Sequence, residues 1–105
     1  MEIDKFKEYL EKTNNKERVI TDIISRCKRV EKFEGNLDEH FQQDAGKSLL
    51  DKLTYNSKQA SNQEPPKHSI KFNGNMGYDS IYQGTRSLYY AIKMYFSYKK
   101  EQLNQ

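Results

Sequence analysis

Apolar residues along this chain recur at helical spacing. From Asp79 to Gln102, Ile81, Leu88, Ile92, Tyr95 and Phe96 fall on one side at about 100° per residue, which predicts a single long amphipathic helix. A second such segment runs from Asn15 to Phe33, where Val19, Ile20, Ile23, Ile24, Cys27 and Val30 gather on one face. Asn15 is placed to cap it, and Gly35-Asn36 to end it. Before it, Ile3, Phe6, Tyr9 and Leu10 mark a short helix over Ile3 to Lys12, stopped by Thr13-Asn14-Asn15. After it, Asp38 to Phe41 reads as a helical turn with Leu37 and Phe41 inward, and Asp44 caps a further helix carrying Leu49, Leu50 and Leu53.

From Thr54 to Asp79 the periodicity stops. Asn56 to Lys67 is polar, contains Pro65-Pro66 and is expected to be a mobile loop. Ser69-Ile70-Lys71-Phe72 alternates before Asn73-Gly74 without a convincing partner strand, so Ile70 and Phe72 are expected to pin the loop to the bundle. The pattern as a whole predicts an all-α single domain over residues 1–105, a bundle of four to five helices with a long polar loop at 54–79 before the last one. The segments starting near Asn15 and Ser80 form its main pair.

Charge changes this picture along the chain. The net charge of +3 divides into 10 Lys and Arg against 12 Asp and Glu from Met1 to Asp51, and 8 against 2 from Lys52 to Lys100. A weakly acidic half followed by a basic half is an electrostatic footprint. The low hydrophobic fraction of 34% implies an economical core. No apolar run is long enough to span a membrane, and Met1-Glu2-Ile3-Asp4 has no secretory h-region, so a cytoplasmic, soluble location is expected. The lone Cys27, on an apolar face, fits a reducing compartment and reads as a small buried hydrophobe.

Catalytic and metal-binding patterns are weak. Ala45-Gly46-Lys47-Ser48 resembles the tail of a phosphate-binding loop, but Phe41 stands where its first glycine is needed and no strand precedes it. His40 and His68 have no ligand partner at metal spacing, and His40 lies in an acidic turn with Asp38, Glu39 and Asp44. A Cys27-His pair would place its thiol beside Ile23 and Val30, where it ionises poorly. No active site, cofactor or metal is expected. The last helix is more informative: Tyr82, Arg86, Tyr89, Tyr90, Lys93, Ser97 and Lys100 share a stripe opposite its apolar face, with no acid from Ser80 to Lys100. Arg and Lys neutralise phosphates and Tyr hydroxyls donate to their oxygens, so the stripe suits a phosphate backbone; an amphipathic Tyr rim on a core is the alternative. On the second helix Arg18 and Arg26 flank Asp22 at pairing distance, leaving Arg29 and Lys32 freer.

Phe6, Tyr9 and Leu10, then Val19, Ile23, Arg26, Val30 and Phe33, then Leu49, Leu50 and Leu53, and finally the run Leu88-Tyr89-Tyr90-Ala91-Ile92-Lys93-Met94-Tyr95-Phe96 together resemble the N-terminal core-binding domain of tyrosine recombinases, the phage integrases. The resemblance implies a SAM-like orthogonal helical bundle that clasps duplex DNA through backbone contacts during DNA integration and recombination. A separate catalytic domain cuts and rejoins strands in that family and has no room here, so the chain is expected to be a stand-alone or truncated module of integrase or nuclease-associated type. The resulting expectation is a non-enzymatic domain binding duplex DNA with little sequence specificity, through Arg86, Tyr89, Tyr90, Lys93, Ser97 and Lys100 and through Arg26, Arg29 and Lys32. The competing expectation is a protein-interaction module that docks a partner on Tyr82, Tyr89 and Tyr90.

Overall fold

The computed structural model describes residues 1–71 and 77–104. Among them the chain forms six helices and no strand: α1 (Ile3–Lys12), α2 (Glu17–Glu34), α3 (Leu37–Asp44), α4 (Lys47–Lys52), α5 (Ser57–Ser61) and α6 (Tyr78–Leu103). The expected all-α bundle is therefore observed. Its long axis is α6, which packs most extensively on α2 and also touches α1, α4 and α5. Phe6 and Leu10 of α1, Ile20, Ile23, Cys27 and Val30 of α2, and Leu88, Ala91, Ile92, Tyr95 and Phe96 of α6 interlock in one core with Leu37, Leu49, Leu53 and Ile70. These positions recur three and four residues apart, as one face of a helix requires.

Three expectations need correction. Asn15 does not cap α2: its side-chain amide donates to the Leu10 carbonyl at 3.0 Å and to Thr13 Oγ1 at 2.7 Å, tying off the end of α1, while α2 starts after Lys16 without a side-chain cap. Val19 is 42% exposed, because the buried line of α2 runs through Ile20, Ile23, Cys27 and Val30 and Val19 lies at its edge in the first turn. The stretch from Asn56 to Lys67 is not featureless, since it contains α5. There the Asn56 side chain accepts from the Gln59 amide and the Gln59 side chain accepts from the Asn56 amide, a reciprocal capping box that holds one short turn. Ala60 is buried, and the Tyr55 hydroxyl donates to the Glu64 carbonyl. Phe72 lies outside the described residues.

The segment from Lys67 to Lys71 forms a strap across α2 and α6. His68 is buried, with Nε2 2.7 Å from Thr85 Oγ1 on α6 and Nδ1 accepting from the Ile70 amide at 3.1 Å. Accepting at Nδ1 puts the ring proton of neutral His68 on Nε2. Glu34 accepts from both the amide and the hydroxyl of Ser69, and Lys52 pairs with the same carboxylate at 3.2 Å. Ile70 is buried as expected, and polar contacts hold the strap alongside it.

A charged clasp closes the other end of α6. The ammonium of partly buried Met1 lies 3.2 Å from both Glu31 and Asp38. Tyr95 donates its hydroxyl to Asp38 and accepts from the Glu2 amide at 2.9 Å. Tyr98 donates to Glu2 at 2.6 Å, and Lys99 bridges Glu2 at 3.1 Å and Asp38 at 3.4 Å. Every partly buried charge here faces an opposite one, which offsets its partial removal from water.

Candidate nucleic-acid interface

Among the concave surfaces that α6 lines, two carry the residues picked out by sequence. The larger is an open groove of about 640 Å³ between α2 and α6. Its walls carry Arg26, Lys28, Arg29 and Lys32 of α2 and Lys71 of the strap, and α6 contributes Gly84, Ser87 and Leu88. No carboxylate lines it among the described residues. The expected local pairing of Asp22 with Arg18 and Arg26 is not made among the described residues, so no ion pair there draws Arg26 away from the groove. Arg29 donates from an Nη nitrogen to the Lys71 carbonyl at 3.0 Å, and the Lys32 ammonium sits 5.7 Å from the Phe33 ring centre. Arg29 is therefore partly held in place by the strap, not free as its spacing suggested.

The second surface is a depression of about 250 Å³ where α6 meets the link between α4 and α5. Tyr82, Arg86, Tyr89 and Tyr90 line it from α6, and Tyr55 from the link. Tyr89 and Tyr90 meet edge to face at 5.8 Å. Arg86 lies 5.9 Å from the Tyr90 ring centre and Lys93 5.9 Å from that of Tyr89, so each ring has a cation over it. Tyr90 is 53% exposed, an unusual placement for a large ring with a core beside it.

The structure thus divides the residues picked out by sequence. Arg26, Arg29 and Lys32 line the groove, and Arg86, Tyr89 and Tyr90 line the aromatic depression. Lys93, Ser97 and Lys100 are exposed, as the stripe predicts, but line neither. The Ser97 hydroxyl donates to the Lys93 carbonyl at 2.9 Å and is engaged with its own helix. Sequence reasoning missed Lys28, Lys71 and Tyr55. Lys28 had a signal, since it stands one helical turn before Lys32. Lys71 and Tyr55 had none, because the strap and the link bring them in from outside any periodic segment.

The other candidate chemistries are accounted for by the fold. The Cys27 thiol donates to the Ala91 carbonyl at 3.5 Å and is pushed up to about 12 by burial, so it is protonated at neutral pH. His40 Nε2 lies 2.6 Å from the Glu34 carbonyl. At Ala45-Gly46-Lys47-Ser48, the amides of Gly46 and Ser48 donate to the Asp44 carboxylate at 3.1 Å, but Asp44 is not the cap expected of it: it ends α3, and the N-cap of α4 is Gly46, in the left-handed conformation. No group of three His, Cys, Asp or Glu among the described residues is arranged to hold a metal, and no helix is long and apolar enough to cross a membrane. In comparisons with known proteins, no family model, no curated protein and no solved structure matches this chain.

Proposed function

We propose that this chain is a non-enzymatic DNA-binding domain that positions duplex DNA through its phosphate backbone. The observation that supports this reading is the groove, where five cations from α2 and the strap meet around a concave surface without a carboxylate. A solvated protein face ordinarily mixes the two signs; a surface of one sign attracts a polyanion and gains from release of its condensed counterions. Few groove side chains besides the cations are polar, so binding is governed by charge and shape with little base readout. Lys93 and Lys100 extend the positive surface along α6. The resemblance to recombinase core-binding domains points the same way, with strand cleavage and joining left to a separate catalytic unit in DNA integration or recombination.

The test is replacement of Arg26, Lys28 and Lys32 together by Gln in the full chain, with affinity for unrelated duplexes measured across salt concentrations. Binding to all duplexes weakens equally, and the slope of log affinity against log salt falls by about 0.9 for each phosphate no longer neutralised. The reading fails if wild type binds no duplex at low salt. Should Tyr90→Ala then abolish capture of a protein partner, the aromatic depression is a protein-docking surface and the interaction-module reading replaces this one.

A further inference from the structure

The aromatic depression has properties the groove lacks, and duplex phosphates do not explain them. Its lining is made largely of tyrosine rings, and its charges, Arg86 within it and Lys93 over Tyr89, are both positive. No acid occurs from Ser80 to Lys100, and no carboxylate lines the depression. Cationic ligands, the usual guests of tyrosine cages, are therefore repelled. The complementary ligand combines a flat π surface with a negative charge.

Size and hydrogen bonding narrow the choice. At about 250 Å³ the depression lies below the range of drug-sized sites and accommodates a single ring system, not a helix or a stacked duplex end. Three of the polar groups on its rim are already engaged. The Thr54 hydroxyl donates to the Asp51 carbonyl, the Tyr55 hydroxyl to the Glu64 carbonyl, and the Asn56 side-chain oxygen accepts from the Gln59 amide. Ring faces, the hydroxyls of Tyr82, Tyr89 and Tyr90, and the two cations remain. Such a site stacks a base and pairs its phosphate without reading its edge, whereas a duplex keeps its base faces covered by their neighbours.

We infer that the depression formed by Tyr82, Arg86, Tyr89 and Tyr90 holds an unstacked nucleobase of a single-stranded DNA segment, with Arg86 and Lys93 pairing the flanking phosphates. The site is tolerant of base identity. It shares the nucleic-acid class with the reading above but stands on a different surface, so the two fail separately.

The experiment compares three labelled probes on the full chain: a short oligo-dT, an abasic strand of the same length and charge, and a duplex. Wild type binds oligo-dT more tightly than the abasic strand. Tyr90→Ala lowers oligo-dT affinity about 5- to 100-fold and leaves the abasic strand and the duplex unchanged. Tyr90→Phe retains the preference, since it keeps the ring and confirms that folding is intact. The groove variant loses duplex binding but keeps the preference for oligo-dT over the abasic strand. Equal binding of oligo-dT and abasic strand by wild type overturns the inference, and so does a preference that survives Tyr90→Ala. Displacement of oligo-dT by an acidic, tyrosine-containing peptide at lower concentration than by unlabelled oligo-dT also overturns it, and assigns the depression to a protein partner.

Discussion

The two halves of α6 use the same residue types in opposite ways. In the C-terminal half, Tyr95 and Tyr98 are buried with their hydroxyls on Asp38 and Glu2, and Lys99 bridges the same two carboxylates. In the N-terminal half, Tyr82, Tyr89 and Tyr90 present their rings around Arg86, and no ion pair among the described residues engages it. Composition does not separate the halves. What separates them is whether another element brings a carboxylate: Glu2 precedes α1 and Asp38 belongs to α3, and both arrive only at the C-terminal half. A Tyr or Lys met by such a partner is part of the scaffold, and one left without it is available to a ligand.

The comparison breaks most sharply at Gly46. A Cβ there would lie 2.2 Å from Cε2 of Phe96 on the C-terminal half, and the residue has φ of +79°. Gly46→Ala is expected to cost about 3 kcal/mol, from overpacking together with the left-handed backbone penalty. Urea unfolding measures it, and a loss within about 0.5 kcal/mol, the range of ordinary surface changes, would show that this half is not rigidly packed.

Asp38→Ala comes next. It strips a partner from the Met1 ammonium, Tyr95 and Lys99 at once, and a loss of about 2 kcal/mol is expected, below the full cost of breaking a buried pair because Asp38 is partly exposed. A smaller loss than that of the Arg86→Gln, Lys93→Gln double variant would reverse the comparison.

The pH profile is the third measurement. Burial works to raise Asp38, but the Tyr95 hydroxyl and the Met1 ammonium outweigh it and hold its carboxyl below the ordinary range; Glu2 is lowered by the Tyr98 hydroxyl and then Lys99. Their contribution is fully present above about pH 4 to 5 and is lost as pH falls through their depressed folded values. The Met1 ammonium moves the other way: burial works to lower it, its bonds to Asp38 and Glu31 prevail, and its contribution is lost as pH rises above about 8. Burial lowers His68, so the unfolded chain takes up a proton first and stability begins to fall below about pH 6.5. Urea midpoints across pH should therefore show a plateau between about pH 6.5 and 8 with loss on both sides. In Asp38→Ala the steep part of the acid limb shrinks, and an unchanged limb would remove the clasp from the account.

The smallest effect sharpens the comparison from the other side. Replacing Arg86 and Lys93 by Gln together is expected to change stability by less than about 0.5 kcal/mol, because exposed side chains outside any ion pair contribute little to folding. Thermal melting checks this.

How much was legible in the sequence follows the same division. The long helices and most of their core, from Phe6 and Leu10 through Ile23 and Val30 to Leu88, Ile92 and Phe96, were legible because a period repeated over ten or more residues identifies a face. The short helix α5 was not, since five residues with one buried Ala60 cannot show a period; its only signal was Asn56 three residues before Gln59, a capping pair. The clasp was invisible because it draws Met1, Glu2, Glu31, Asp38 and Lys99 from distant parts of the chain. The candidate interface was half legible. Arg26, Arg29 and Lys32 sit on one helix and could be grouped, but nothing local tells that the strap adds Lys71, or that α6 turns Arg86 and Tyr90 toward a different surface.

The strap is tied to the groove through one shared residue. The Ile70 amide is held by a ring nitrogen of His68, and the neighbouring Lys71 carbonyl by Arg29, a residue that also faces the groove. On the proposed DNA-binding reading, a phosphate that takes the same Nη donor of Arg29 competes with that carbonyl. Occupancy of the groove and opening of the strap are then linked equilibria, each shifting the other by the same factor, and exchange of the Ile70 amide hydrogen with solvent deuterium becomes a local gauge of how full the groove is.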